Sequence, residues 1–162
     1  MVKTMSTKNM VIVAMIAALY TTLCLALAPL SFGMVQIRVA EALTLLPIFS
    51  IAGVWGVTLG CALSNLVGFF TGVNILGAID IIFGTIATLI AALLTRKFRH
   101  IRIMGLPIVS AVPPVLINAI VIGAELSLLL APKEAFMTIF IMNFIYVAIG
   151  QSLSCFLLGL SF

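Results

Sequence analysis

The sequence predicts an all-α integral membrane protein: one domain over residues 1–162, folded as a bundle of six transmembrane helices with both termini in the cytoplasm. Three observations carry this expectation. The chain is 64% apolar and only 7% charged, with mean hydropathy +1.41, which a soluble core of this length does not need. Its apolar residues gather in runs near the ~20 residues that a helix requires to cross the hydrocarbon. Lysine and arginine collect at the ends of alternate runs.

The first run covers about residues 9–28, after Lys3 and Lys8. With Ala26-Leu27-Ala28 at its end it resembles a signal peptide. Its apolar stretch from Met10 to Leu27, however, exceeds the ~7–15 residues of a signal h-region, so it reads as a retained helix. A break follows from Ala28-Pro29 to Gly33. The second helix, about 38–50, is short, because Pro47 and Gly53 argue against one helix over 38–70. The third covers 51–70 and stops at Thr71-Gly72; the fourth covers about 74–94. Next comes a loop from Thr95 to Gly105, then a fifth helix over about 106–130. Pro113-Pro114 should kink that helix and free backbone groups that need other partners. After Ala131-Pro132-Lys133-Glu134 the sixth helix runs over about 135–158.

Orientation follows from the short loops. Arg96, Lys97, Arg99 and Arg102 share the side of Lys3 and Lys8, while the opposite side holds Lys133, beside Glu134, and Arg38. That places both termini inside. The net charge of +4 is thereby explained by orientation and by attraction to anionic lipid, and nucleic acid is not an expected partner. Cys24, Cys61 and Cys155 lie within spans and show no CxxC or Cys/His spacing; neither a disulfide framework, nor a metal site, nor a cofactor is predicted.

Helices in lipid gain little from burying apolar surface against each other, so small residues that permit close approach mark their contacts. Ala52, Gly56, Gly60, Ser64 and Gly68 form one such stripe at spacing four, read as packing inside the bundle. Ala14, Ala18, Thr22 and Ala26 form a second on the first helix, open either to packing or to another subunit.

Seven polar residues interrupt the apolar runs: Arg38, Glu41, Asn65, Asp80, Asn118, Glu125 and Asn143. Ionisable groups at membrane depth cost roughly 2.5–3.5 kcal/mol each on insertion scales and usually mark a substrate or ion path. Counted at about 1.5 Å per residue, all but the deeper Asn118 fall within roughly 12 Å of the outer ends of their helices. Arg38 and Glu41, three apart, share a face, and the simplest alternative is an interfacial ion pair. Asp80 has no basic residue within a turn, and Gly77 and Gly84 leave room beside it. Asn65, Asn118 and Asn143 are either ligand contacts or interhelical hydrogen bonds. One arginine against three carboxylates asks for a protonated carboxyl or for a ligand bringing donors and positive charge. A flat heterocycle with an amidine-like NH/NH₂ edge, and an amine tail, would meet that need.

Gln36 to Phe49 (QIRVAEALTLLPIF), Gly60 to Asn65 (GCALSN) and Asp80 to Ala92 (DIIFGTIATLIAA) resemble the QueT family of queuosine-precursor transporters. These are substrate-binding S components of energy-coupling factor transporters. The resemblance implies six helices with both termini inside, a transmembrane T component, and two cytoplasmic ATPase subunits. It implies T-component contact through the helix-1 stripe, here Ala14, Ala18 and Thr22. It implies a 7-deazaguanine ligand: queuine or its aminomethyl or cyano precursor. Asp80 or Glu41 would then accept from the ring edge and Arg38 or an asparagine would donate to the ring carbonyl. Glu125 would take an amine tail, and Phe69 or Tyr146 would stack on the base.

No enzymatic activity is expected of this chain, since no Walker GxxxxGK[ST] motif, HExxH or Ser/His/Asp set is present, and hydrolysis would fall to the partners. The alternatives are a proton-coupled small-molecule transporter, which would also bury carboxylates, and an S component for another vitamin or base. The first lacks an evident inverted repeat.

Overall fold

The computed structural model describes residues 5–33 and 36–161, which leaves Lys3 of the orientation argument outside the described residues. The chain is all-helical there: α1 (Thr7–Ala26), α2 (Ala28–Ser31), a 3₁₀ helix (Val39–Ile48), α3 (Ile51–Phe70), α4 (Ala78–Lys97), α5 (Ile108–Leu130) and α6 (Phe136–Ser152). Beyond α6 the helix continues as a π segment, Leu153–Leu158. Five helices are long and apolar enough to cross a membrane, and the 3₁₀ helix is a shorter apolar sixth.

Several boundaries differ from the sequence expectation, each for a local reason. The first break falls at Leu27, and Pro29 sits inside the first turn of α2, where its missing N–H costs nothing. The fourth helix starts at Ala78 rather than near residue 74. Asn74 Oδ1 accepts from Leu76 N at 3.0 Å and Gly77 takes φ +66°, so residues 74–77 form a turn that places Asp80 in the first helical turn of α4. The basic stretch begins inside α4, whose last turn holds Arg96 and Lys97, favourably placed against the helix dipole.

Pro113 and Pro114 do not break α5, which runs through both. The carbonyl of Ser110, which Pro114 cannot serve, accepts from Thr95 Oγ1 of α4 at 2.9 Å. The predicted need for a substitute partner is met there by a neighbouring helix.

α3 lies between α1 and α4, and α5 between α4 and α6. The stripe Ala52, Gly56, Gly60, Ser64, Gly68 is buried throughout. A Cβ at Gly56 would stand 2.7 Å from Ile16 and one at Gly60 2.6 Å from the Cβ of Tyr20, so both glycines are what lets α1 lie against α3. Thr21 Oγ1 donates to the Gly60 carbonyl at 3.1 Å across this contact. The buried face of α1 is Ala17, Tyr20 and Cys24, whereas Ala14, Ala18, Thr22 and Ala26 lie exposed. The three cysteines are free and buried.

The 3₁₀ helix is the exception to regular spanning geometry. Its ten residues rise only about 20 Å, and it is held on several sides by α1, α3, α4, α5 and the π segment. Backbone with poorer hydrogen-bond geometry is tolerated at membrane depth where protein surrounds it. Seven of its residues, including Glu41, are buried.

Candidate ligand-binding site

Arg38 caps the 3₁₀ helix in an extended conformation, φ −88° and ψ 96°. Just before it Gln36 takes φ +47°, a left-handed conformation unusual for a residue with a side chain. This bend turns the Arg38 guanidinium toward α4. Its Nη2 lies 3.0 Å from Asp80 Oδ2, its Nε donates to the Ser31 carbonyl at 3.0 Å, and its carbon sits 5.3 Å from the Phe32 ring centroid. Asp80 Oδ2 also accepts from Asn74 Nδ2 at 2.9 Å. Arg38 and Asp80 are 2% and 0% exposed, so this is a buried ion pair.

The alternative of an Arg38–Glu41 ion pair is therefore set aside, since the arginine reaches across to α4. Glu41 instead accepts from the Tyr20 hydroxyl of α1 at 2.6 Å, through Oε1. Its other oxygen, Oε2, is buried with no protein partner of ordinary geometry, although Asn118 stands beside the carboxylate. The room foreseen beside Asp80 is also corrected. A Cβ at Gly84 would collide with Asp80 Oδ1, so the space that glycine gives is taken up by the aspartate itself, while nothing lies within 4 Å at Gly77.

Asn65 of α3 donates Nδ2 to the Asp80 backbone carbonyl at 2.8 Å, tying α3 to the start of α4, and its Oδ1 is buried and unpaired. Glu125 of α5 is 5% exposed, and both its carboxylate oxygens are buried and unpaired. Leu76, from the turn that holds Asn74, packs with Ile122 and Leu126 of α5, and the Glu125 carboxylate is within electrostatic reach of Arg38 and Asp80. Asn143 stands apart from the others. Its Nδ2 donates to Ser127 Oγ at 3.0 Å, a link between α6 and α5.

Antiparallel alternation explains the convergence. Asn65 is near the end of α3, Asp80 at the start of α4, Glu125 near the end of α5, and all three ends share one side of the bundle. Arg38, Glu41, Asn65, Asp80, Asn118 and Glu125 are brought together; Asn143 is not.

Sequence reasoning missed Tyr20, Asn74, Phe32 and Gln36. Gln36 is 1% exposed, and both its amide atoms are unpaired. The stacking candidates were misplaced: Phe69 and Tyr146 are 41% and 39% exposed on the outer surface, whereas Tyr20 and Phe32 are the buried aromatics next to the polar groups. Among the described residues no group of three or more His, Cys, Asp or Glu is placed to hold a metal ion.

Residues 10–162 match the family described as QueT transporter. The chain belongs to the QueT transporter family. A protein of Lactococcus lactis subsp. cremoris (strain MG1363) named "Queuosine precursor transporter QueT" is 33% identical over 90 residues, covering 54% of this chain and 49% of the relative. The match thus spans about half of that relative's length. No solved structure matches the chain. A QueT transporter is a multi-pass membrane protein, and the large apolar side chains on the outside of the bundle, Phe70, Phe49 and Leu128 among them, suit a lipid surround.

Proposed function

We propose that this chain is the substrate-binding S subunit of an energy-coupling factor transporter and that it imports a queuosine precursor, a 7-deazaguanine. The observation that carries the reading is the set of buried, unpaired carboxylate and amide atoms around the Arg38–Asp80 pair, in a family of transporters. Burying such atoms without partners costs roughly 1–3 kcal/mol each, a cost that a bound ligand repays.

In this reading Glu41 Oε2, with Asn118 and Gln36, meets the guanine-like edge. Phe32 and Tyr20 supply aromatic surface, and Arg38 and Asp80 hold the floor of the site. Asn65 acts mainly by fixing α3 to α4, and Asn143 by fixing α6 to α5. The 3₁₀ helix serves as a sixth span, both termini face the cytoplasm, and the site opens outward. Transport would follow by reorientation of the subunit against a transmembrane T component that contacts Ala14, Ala18 and Thr22, with ATP hydrolysed by two cytoplasmic partner subunits. The exposure of that stripe supports such a contact.

The test is calorimetric titration of purified, ligand-stripped protein with queuine and its aminomethyl and cyano precursors, with guanine and riboflavin as controls, repeated on Glu41→Gln. Glu41 is a cleaner probe than Asp80, because Asp80 also holds the buried ion pair. Binding of a deazaguanine, weakened at least about tenfold by Glu41→Gln, is the expected result. Well-folded protein that binds none of the three would sink the substrate assignment. Uptake that stops on ATP depletion and survives collapse of the proton gradient would separate this reading from a proton-coupled carrier.

A further inference from the structure

We infer that the ligand is bound as a cation, so that among 7-deazaguanines the site selects those with an amine tail over the nitrile, and that Glu125 is the group the amine meets. The inference rests on the deazaguanine reading above and narrows it.

The first ground is the kind of polar atom left unpaired. Around the ion pair the buried atoms without partners are Glu41 Oε2, Asn65 Oδ1, Asp80 Oδ1, both oxygens of Glu125, the two amide atoms of Gln36, and the Ser31 hydroxyl. Carboxylate and amide oxygens only accept; of these groups only Gln36 Nε2 and the Ser31 hydroxyl can donate. A partner for such a surface must be rich in donors.

Charge is the second ground. Arg38 is engaged by Asp80 at 3.0 Å, so it does not answer Glu41 and Glu125 as well. Glu41 has a neutral donor in Tyr20, which stabilises one of its oxygens. Among the described residues Glu125 has no protein donor, and it is 5% exposed. A buried carboxyl in that setting either takes up a proton or is met by an ionic partner, and an amine-tailed ligand supplies that partner.

The two simplest precursors differ at one position in a way that discriminates. Their fused rings present the same NH and NH₂ donors. The aminomethyl tail ends in an ammonium with three donors, whereas the nitrile ends in an acceptor and would set acceptor against acceptor at Glu125. Queuine, a secondary amine, shares the cationic character. Glu41 serves the common ring and contributes nothing to the choice of tail.

The experiment titrates the parent protein with the aminomethyl precursor, its N-acetylated derivative, and the cyano precursor, then repeats the series on Glu125→Gln. The expected result is that the amine binds at least about tenfold more tightly than the nitrile or the acetylated compound, the step that one buried charge-assisted contact supplies. In Glu125→Gln the ratio falls to within about threefold, through weaker amine binding, while the nitrile affinity holds or rises, since the amide can donate where the carboxylate only accepts, and so reports an intact site. Equal affinities on the parent, or tighter binding of the nitrile, overturn the inference and leave the deazaguanine reading standing. An unchanged ratio in Glu125→Gln removes Glu125 from the role. Should the variant lose nitrile binding through misfolding, the acetylated ligand decides the question on the parent protein alone. Failure of all three ligands overturns the deazaguanine reading and this inference together.

Discussion

Asp80→Asn should destabilise the protein far more than Arg38→Gln, although the two changes remove opposite ends of one ion pair. At 3.0 Å the two charges attract by about 5 kcal/mol at an effective dielectric constant near 20. Deleting one partner of a buried pair costs roughly 3–5 kcal/mol in proteins. The cost is unequal here because the two orphans have different escapes. A guanidinium stays charged, so after Asp80→Asn it keeps the Ser31 carbonyl, the Phe32 face and the new amide oxygen but loses the counter-charge 3.0 Å away. A carboxyl left by Arg38→Gln can take up a proton and keep the Asn74 hydrogen bond. The expected losses are about 3 kcal/mol for Asp80→Asn and about half that for Arg38→Gln. The double variant should regain about 1–2 kcal/mol relative to the sum of the singles. Reversible unfolding in mixed micelles, followed by the near-ultraviolet dichroism, measures all four proteins. The reasoning fails if Asp80→Asn falls within about 0.5 kcal/mol of the parent, or if the singles add in the double variant.

Three further outcomes follow from the packing. Gly60→Val puts side-chain atoms where Tyr20 stands 2.6 Å from the added Cβ, and should cost about 1–3 kcal/mol in the same unfolding assay; Gly77→Asn, at φ +66° and ψ −143°, a backbone region that is essentially glycine's, should cost about 1–3 kcal/mol through backbone strain alone, because the space around it is open. Tyr20→Phe removes the hydroxyl that donates to Glu41 Oε1 and should lower stability by about 1.5–3 kcal/mol, with the loss partly recovered at saturating ligand; no change in stability would refute the role of that hydroxyl. Ala14→Leu with Ala18→Leu should leave unfolding and ligand titration unaltered, since both residues lie on the exposed face of α1, and should abolish co-purification with a T component; retained co-purification would place the contact elsewhere.

How much of this was legible in the sequence depended on the range of the signal. The five long helices and the stripe from Ala52 to Gly68 follow from composition and spacing within one segment, and the fold agrees with both. The gathering of Arg38, Glu41, Asp80 and Glu125 at one end was also legible, because alternating segments of similar length carry their ends to the same side. Pairing inside that group was not. Spacing along a helix put Arg38 and Glu41 on one face and left their pairing open, whereas the left-handed turn at Gln36 and the 3₁₀ geometry after it accompany an arginine that reaches across to α4. The start of α4 depended on an Asn74 side chain capturing the Leu76 N–H, a choice that hydropathy does not record.

The aromatic assignment went astray for a reason that extends to other membrane chains. In a soluble protein an aromatic residue near a polar cluster is a fair stacking candidate because exposure is costly. In lipid the outer surface is as welcoming to Phe69 and Tyr146 as the interior, so hydrophobicity loses its power to say which face is inside. What retains that power on α3 is the stripe from Ala52 to Gly68, whereas the stripe of α1 lies on its exposed face. Gly56 and Gly60 identify the face of α3 that meets α1, and through their contacts with Ile16 and Tyr20 they identify the buried face of α1 as well. Tyr20, in contact with that stripe and bonded to Glu41, is the aromatic residue that such a reading selects. Packing between backbones, rather than the burial of oil, is thus the guide from this sequence to its site.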